Sequence, residues 1–355
     1  MTDGAAQAPR ARLEAIGARV IGALPPAAKR RITGTPVRLD GLELDLDMQV
    51  LVKLAERDLR PLAGLTPAQA REQLREAVRP FEGPPIPLAS VRETTVAGAA
   101  GPLRARLYEP AETHIVPDGA HGPLIVYYHG GGWVTGDLDT HDRPCGLLAR
   151  TSGARVLSVD YRLAPEHPFP APVDDALAAF RDAVARADEL GVDPARVAVA
   201  GDSAGAHLAA VTAQLSAAGG GAAPAFQLLI YPATNLAEVA QSRLTFAEGF
   251  ILTNENIDWY QDRFLGPRAD RRDPRASPLL AEDLSGVAPA LVVTAGFDPL
   301  RDEGEAYAGR LREAGTRTIL RRHAGYVHGF IHCLALGSGP REAIAEMGGA
   351  LRAAL

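Results

Sequence analysis

A serine stands at the centre of the stretch Gly201-Asp202-Ser203-Ala204-Gly205, between an apolar run at Val197–Ala200 and a helix-forming run that follows it. A sharp strand-to-helix turn would hold this serine in a strained conformation, and the flanking glycines would relieve crowding. The helix N-terminus would add free N–H groups beside the hydroxyl oxygen. A serine that only caps a glycine-rich turn is the alternative. The position between a strand and a helix favours a nucleophile.

A second glycine-rich stretch, His129-Gly130-Gly131-Gly132-Trp133, follows the apolar run Leu124–Tyr128. Three glycines leave the main chain unshielded, so two N–H groups could point at one developing oxyanion. A phosphate-binding loop is the competing interpretation, but its GxGxxG or Gly-Lys-Ser/Thr pattern is absent. The stretch therefore predicts an oxyanion hole, in which His129 shapes the loop. Trp133 either lines the substrate pocket or is a plain core aromatic.

A serine nucleophile needs an adjacent base, which is itself oriented by a carboxylate. On a strand–elbow–helix scaffold the three residues follow the order Ser, acid, His. Asp298 lies just past the apolar run Ala290–Thr294, where its carboxylate can reach a neighbouring loop. Asp302 and Glu303 fall in the first turn of the next helix, where acidic residues usually serve the helix dipole. Asp298 is the predicted acid, and Asp302 is the alternative.

Three histidines follow this acid: His323, His328 and His332. His328 lies in the glycine-flanked stretch Gly325–Phe330, between the last predicted strand and the last helix. The other two lie close to a strand end and at the start of an apolar stretch, positions more typical of structural residues. Ser203, Asp298 and His328 are therefore the predicted catalytic residues.

The elements that must position these residues alternate along the chain from about residue 88. Short apolar runs separated by helices are typical of a parallel sheet covered on both faces, so we expect an α/β fold. The apolar runs are 91–96, 103–108, 124–128, 156–159, 197–200, 227–231, 290–294 and 317–320, and the helical stretches are 172–189, 204–217, 301–314 and 340–354. The first two runs read as a hairpin across Gly98–Gly101.

The first part of the chain, residues 1–86, has helical periodicity and is predicted to form a cap region, with the catalytic domain at 87–355. One helix covers Leu13–Leu24 and ends at Pro25-Pro26, a second covers about 47–57, and a third starts with the capping-box pattern Thr66-Pro67-Ala68-Gln69. A long interval at about 235–285 predicts a cap insertion that could complete a lid with these helices.

The composition excludes several classes of protein. The chain has 355 residues, 46% of them hydrophobic, with a net charge of −6 and no dense basic run, so nucleic acid is not an expected partner. Cys145 and Cys333 lack the paired spacing of a metal or redox site and read as small buried hydrophobes. No apolar run spans a membrane and no secretory signal is visible, so the expected location is cytoplasmic, without stable membrane insertion.

Taken together, these stretches resemble the bacterial hormone-sensitive-lipase family (family IV) of carboxylesterases, in the α/β-hydrolase superfamily. The glycine loop, the serine pentapeptide and the acid and histidine stretches occur in family order. The other matching pieces are Asp160–Ala171, Tyr231-Pro232 and Ser277-Pro278-Leu279. The chain departs from the common pattern at Ala206-His207, where Gly-Asn is frequent, which leaves the packing behind the serine open.

The resemblance implies an eight-stranded, mostly parallel sheet and oxyanion donors at Gly131, Gly132 and Ala204. It implies a helical cap over the acyl pocket and hydrolysis of short- to medium-chain acyl esters through an acyl-enzyme, without a cofactor or metal. It also allows a homodimer, which no residue pattern decides. Two alternatives stay open: an acyltransferase with the same triad, and a non-catalytic ligand-binding protein, although the latter is disfavoured by the presence of His328.

The tract Tyr161–Ala171 has no evident catalytic use. Its prolines and Glu166 predict a rigid structural loop that carries a buried carboxylate.

Overall fold

The sheet is the central feature of the computed structural model, which describes residues 17–18, 20–111 and 121–355. The strands are β1 (Arg38–Leu39), β2 (Leu42–Glu43), β3 (Ser90–Gly98), β4 (Gly101–Glu109), β5 (Gly122–Tyr128), β6 (Arg155–Val159), β7 (Val192–Asp202), β8 (Gln227–Ile230), β9 (Ala290–Phe297) and β10 (Thr318–Val327). β1 and β2 form a small antiparallel pair, and the other eight strands form one sheet in the order β10-β9-β8-β7-β5-β6-β4-β3. β4 runs antiparallel to both of its neighbours, β3 and β6, and the other neighbouring pairs in this sheet are parallel. The predicted eight-stranded, mostly parallel fold is confirmed.

Helices connect most of the strands. They are α1 (Pro26–Thr33), α2 (Leu46–Asp58), α3 (Pro67–Val78), α4 (Asp142–Ser152), α5 (Ala171–Ala185), α6 (Ala187–Leu190), α7 (Ala204–Gly219), α8 (Gln241–Thr245), α9 (Asn254–Leu265), α10 (Arg301–Glu313) and α11 (Gly339–Ala354). The predicted capping box of α3 is present, because the Thr66 side chain accepts from the Gln69 N–H while the Gln69 side chain accepts from the Thr66 N–H. Of the helix predicted at 13–24, residues 17–18 and 20–24 are described; residues 17–18 and 20–23 are helical, and the helix ends before Pro25-Pro26 as predicted.

Both faces of the sheet are buried, and β5 shows how. Leu124 and Val126 belong to a hydrophobic cluster with residues of α5, α7 and α10. Ile125 and Tyr127, which alternate with them, belong to the opposite cluster, with residues of α4 and α11. Side chains of a strand alternate between faces, so a strand that is buried on both sides is apolar throughout. This arrangement leaves the carboxyl ends of the strands free to carry a site.

Helices α1 and α4 were not predicted from the sequence, and proline is part of both explanations. Pro25-Pro26 ends the first predicted helix, as expected, but Pro26 is also the first residue of α1, which was not predicted; proline is tolerated there because the first helical turn needs no N–H donor. Helix α4 was not predicted, since it contains Pro144 and Gly146, residues of poor helix propensity. Pro144 lies in the first turn, where it is tolerated, and Gly153 ends the helix in the left-handed conformation.

The expectation of a buried carboxylate at Glu166 is wrong. The Glu166 side chain is 53% exposed and binds both terminal nitrogens of Arg71, on α3, at 2.9 and 2.6 Å. The buried acid of this region is Asp175 on α5, which Arg162 binds through two nitrogens. A buried carboxylate needs such a partner, and the arginine inside the tract serves Asp175 instead. Glu166 therefore links the loop to the N-terminal helices.

The N-terminal helices and the 235–285 interval meet above the sheet. Leu62, Leu65 and Ala70 share a small apolar cluster with Trp259 of α9. The boundary between cap and catalytic domain at residues 86 and 87 stays a prediction. In the described part of the chain, no helix has the length and apolar character needed to cross a membrane. Both cysteines are buried and free.

Candidate active site

Ser203 joins β7 to α7 in a strained turn. Its backbone has φ 55° and ψ −119°, outside the regions that L-residues favour, and its N–H donates to the Ile230 carbonyl of the neighbouring strand at 2.8 Å. Gly205 must be a glycine, because a Cβ at this position would overlap the Tyr128 carbonyl oxygen. Because helix and sheet approach so closely here, the serine side chain lies at the carboxyl ends of the strands, as the motif predicted.

The structure brings the three predicted catalytic residues into one hydrogen-bonded series. His328, immediately after β10, has its Nε2 atom 2.9 Å from the Ser203 Oγ. Its Nδ1 atom is 2.8 Å from Oδ2 of Asp298, the residue that follows β9. Asp298 is fully buried and His328 is 11% exposed. Since a carboxylate can only accept, Nδ1 carries the hydrogen and Nε2 is free to accept the serine proton.

The alternative acid and base residues are engaged elsewhere. Asp302 accepts a hydrogen bond from the Ser242 N–H at 2.7 Å, and Glu303 accepts one from the Thr234 N–H at 2.7 Å. The ring of His323 stacks on Tyr326, with centroids 5.2 Å apart. His332 packs edge-on against His141 at 4.7 Å. None of the four contacts His328 or Ser203 through a hydrogen bond in the described residues.

The predicted oxyanion donors come from two parts of the chain, the glycine loop and the start of α7. Ala204 is the first residue of α7, so its N–H has no acceptor within the helix. Gly131 and Gly132 both have positive φ, at 111° and 59°, and in the described residues neither N–H donates to a protein acceptor. All three border the same cavity as Ser203 and His328. A Cβ at Gly132 would overlap the ring of Tyr260, on α9, so this position requires glycine.

The Asp202 carboxylate holds the glycine loop from behind. Its Oδ1 atom accepts from the Gly130 N–H at 2.9 Å and from the Tyr127 hydroxyl at 2.8 Å, and lies 3.1 Å from Nε2 of His141. Burial alone would raise the pKa of Asp202, but His141 and these hydrogen bonds hold it below its usual range. The glycine loop and the serine turn are thereby joined through one buried anion.

His141, Asp202 and His332 also place three potential metal-ligand atoms within 4.8 Å of one another. These are the described residues that could hold a metal ion. Asp202 already contacts three donors through one oxygen, so hydrogen bonding accounts for the cluster. We assign it the structural role of supporting the glycine loop.

A cavity of about 900 Å³ opens onto Ser203. Apolar side chains from the N-terminal helices and from the 235–285 interval line it together with the site residues. They include Leu51, Leu54, Leu62, Leu74, Val78, Ile251, Leu252 and Ile257. This size falls within the range of small-molecule sites.

Trp133 directly follows Gly132 and is only 3% exposed. Its ring stacks on Phe264, with centroids 4.1 Å apart, and its Nε1–H donates to Nδ1 of His207 at 3.1 Å. Nε2 of His207 lies 3.0 Å from the Arg275 carbonyl oxygen, so this nitrogen carries the hydrogen. His207, where the chain departs from the common family pattern, is therefore buried behind the serine with both ring nitrogens hydrogen-bonded.

The neutral His207 predicts a loss of stability in acid. Burial lowers its pKa to about 4, against 6.5 for an unperturbed histidine. The unfolded chain therefore binds a proton that the folded chain does not, and stability present above about pH 6.5 is lost as the pH falls towards 4. At pH 5 this residue alone is expected to lower the free energy of unfolding by about 2 kcal/mol relative to pH 8.

Urea unfolding of wild type and His207→Asn at several pH values between 8 and 5 measures this contribution. The variant is expected to lose less stability than wild type over that range, and the substitution of an exposed histidine, His167→Gln, serves as the control. Equal pH dependence in wild type and His207→Asn would contradict the assignment of a neutral buried histidine.

The sequence did not single out Asp202, His141 or Tyr260 as site residues. Asp202 was visible inside the serine pentapeptide, next to the nucleophile. His141 and Tyr260 are remote from it in sequence, and only the fold brings them to the glycine loop.

The chain matches the family model described as the alpha/beta hydrolase fold over residues 125–332, more than half of its length. It therefore belongs to this family of α/β hydrolases, and the resemblance to the bacterial hormone-sensitive-lipase family is confirmed.

Individual relatives carry esterase names. The chain is 44% identical to the carboxylic ester hydrolase LipN of Mycobacterium tuberculosis, over 96% of this chain and 91% of that protein. It is 38% identical to the ethyl acetate hydrolase of Pseudomonas putida, over 82% of this chain and 92% of that protein. Among solved structures, the ester-hydrolase EH1AB1 from the metagenome of Lake Arreo superposes with a TM-score of 0.83 at 43% identity, covering 87% of this chain and 98% of that one.

Proposed function

We propose that the chain is a serine carboxylesterase that hydrolyses short- to medium-chain acyl esters through an acyl-enzyme intermediate. The observation that carries the proposal is the hydrogen-bonded series Ser203–His328–Asp298 at the wall of the cavity. The relatives named above are ester hydrolases, and the chain is a carboxylic ester hydrolase like them. The individual roles of the residues and the range of acyl lengths are what the proposal adds.

In the first half of the reaction, Ser203 Oγ attacks the ester carbonyl carbon while its proton passes to His328 Nε2. The carbonyl oxygen becomes an oxyanion, and the N–H groups of Gly131, Gly132 and Ala204 stabilise its charge. Asp298 keeps the Nδ1 hydrogen in place and stabilises the imidazolium. The imidazolium then protonates the leaving alcohol, and the acyl group remains as an ester of Ser203.

In the second half, water replaces the alcohol. His328 takes a proton from the water as its oxygen attacks the acyl carbon, and the same oxyanion donors stabilise the second tetrahedral intermediate. When this intermediate collapses, the proton returns to Ser203 Oγ and the carboxylic acid leaves. Every proton that the reaction moves passes through His328 Nε2, so the reaction needs no cofactor.

The cavity supports the proposed acyl range. Each substrate methylene contributes about 0.8 kcal/mol to the free energy of binding, as long as it is buried against the apolar cavity wall. A site of about 900 Å³ that is shared by the acyl and alcohol portions favours esters of moderate size. The homodimer and the cytoplasmic location stay predictions from the sequence.

A panel of p-nitrophenyl esters from acetate to palmitate tests the proposed specificity. We expect kcat/KM to be highest between butanoate and octanoate and to fall at least about tenfold by dodecanoate, because the longer chain outgrows the cavity. Ser203→Ala, assayed on the same panel, measures the background hydrolysis that must be subtracted. Highest kcat/KM on dodecanoate or palmitate would contradict the acyl range, and turnover only with an alcohol acceptor would indicate an acyltransferase.

A further inference from the structure

Trp133 has a backbone conformation that a bulky residue seldom adopts. Its φ is +61°, in the left-handed region, and it directly follows Gly131 and Gly132. Such a conformation is unfavourable for a large L-residue and persists only where the surrounding structure fixes it. Trp133 and the two glycines share one tight turn, in which the N–H groups of Val134 and Thr135 donate to the Gly131 carbonyl oxygen at 3.1 and 2.8 Å. The contacts that hold Trp133 in place therefore also help to fix the orientation of the Gly131 and Gly132 N–H groups.

Three contacts hold Trp133, and they come from different parts of the fold. Its carbonyl oxygen accepts from the Ala164 N–H at 2.9 Å. Its indole ring lies nearly parallel to Phe264, at an interplanar angle of 13°. Its Nε1–H donates to His207, which lies on α7 only four residues after Ser203. The hydrogen bond to His207 is the contact that ties the turn directly to the nucleophile's own helix.

His207 is arranged to accept from one side and donate to the other. It is fully buried, and its Nε2–H donates to the Arg275 carbonyl oxygen, which leaves Nδ1 as the acceptor for the indole. The ring also meets Trp133 edge-on, with centroids 5.1 Å apart. A buried side chain with both polar atoms satisfied has one stable orientation. His207 is therefore a fixed anchor for the indole.

We propose that His207 is a positioning residue for catalysis: through Nδ1 it fixes the indole of Trp133 and thereby holds the N–H groups of Gly131 and Gly132 towards the oxyanion. The proposal rests on the proposed esterase function. His207 touches neither substrate nor the reacting atoms. Its effect falls on the transition state, because the oxyanion forms only there, so kcat should change while KM does not.

Two substitutions of His207 separate its two hydrogen bonds. The amide oxygen of Asn can occupy the place of Nδ1, so His207→Asn keeps an acceptor for the indole and loses the donor to Arg275. The amide nitrogen of Gln can occupy the place of Nε2, so His207→Gln keeps that donor and loses the acceptor. Removing one oxyanion donor outright costs about 10²–10³ in kcat, so a loosened loop should cost part of that.

With p-nitrophenyl butyrate we expect kcat to fall about tenfold in His207→Gln and less than about threefold in His207→Asn, with KM within about twofold of wild type in both. Trp133→Phe keeps the ring stacking and removes the N–H donor, so it should match His207→Gln. The double variant Trp133→Phe/His207→Gln should lose no more than either single variant, since both remove one shared bond. Thermal unfolding of each variant reports on the fold.

Several results would overturn the proposal. They are equal losses in the Asn and Gln variants, losses that multiply in the double variant, or a change confined to KM. If neither His207 variant folds, Trp133→Phe decides alone, and a wild-type kcat in that variant would overturn it. The proposed function fails separately, when wild type shows no hydrolysis that depends on Ser203. Turnover that depends on Ser203 but does not distinguish the variants refutes only the positioning role.

Discussion

Replacing Ser203 by alanine is expected to lower kcat for p-nitrophenyl butyrate by about 10⁶-fold and to leave the fold intact. In the proposed mechanism the substitution removes the atom that carries the acyl group, while His328 and the proposed oxyanion donors remain and retain a small residual acceleration over water. The strained turn is set by the backbone and by the close packing at Gly205, so alanine should adopt it as serine does. Steady-state hydrolysis and circular dichroism measure the two expectations.

The matched control is another serine on the same helix. Ser216 lies on α7, thirteen residues after Ser203, is 4% exposed, and its hydroxyl has no hydrogen-bond partner in the described part of the chain. Ser216→Ala should therefore retain kcat within about twofold of wild type, since no bond is lost. Near-wild-type turnover in Ser203→Ala would exclude this serine as the nucleophile.

Replacing Asp298 by asparagine is expected to lower kcat by about 10⁴-fold with little change in side-chain volume. The asparagine amide can donate to His328 Nδ1, which places the imidazole hydrogen on Nε2, the atom that must accept the serine proton. The measured quantity is kcat for p-nitrophenyl butyrate at a pH where wild type is fully active. A second measurement, thermal unfolding, shows whether the buried neutral side chain is accommodated.

Asp302→Asn is the control for this prediction, because Asp302 was the alternative acid in the sequence. Its carboxylate accepts from the Ser242 N–H and pairs with Arg301, and it does not contact His328. We expect kcat of this variant within about threefold of wild type. A larger loss in Asp302→Asn than in Asp298→Asn would reverse the assignment of the acid.

The sheet could be predicted from sequence because burial on both faces leaves an unmistakable pattern. Runs such as Leu124–Tyr128 are apolar at every position, and the turn residues between them mark where each strand ends. The selection of Ser203, Asp298 and His328 followed from their positions just past strand ends. Local chemistry was sufficient for these features, since each depends on neighbours in sequence.

Features that depend on residues distant in sequence could not be predicted. Glu166 was expected to be buried. Only the fold shows that it binds Arg71 at the surface, on a helix almost a hundred residues earlier in the sequence. The hydrogen bond between Trp133 and His207 joins two motifs that the sequence keeps apart. Helix α4 was missed for a different reason, because its proline and glycine lower helix propensity while tertiary packing overrides it.

The nucleophile can be identified directly by treating the protein with diethyl p-nitrophenyl phosphate and mapping the modified peptide by mass spectrometry. The serine attacks the phosphorus atom as it would attack an ester carbonyl carbon, p-nitrophenolate leaves, and the phosphoryl-serine hydrolyses slowly, so this analogue of the acyl-enzyme accumulates. We expect one diethylphosphoryl group per chain, carried by Ser203, with labelling slowed at least about 10³-fold in His328→Ala. A label on another residue, or rapid labelling of Ser203 without His328, would contradict the triad mechanism.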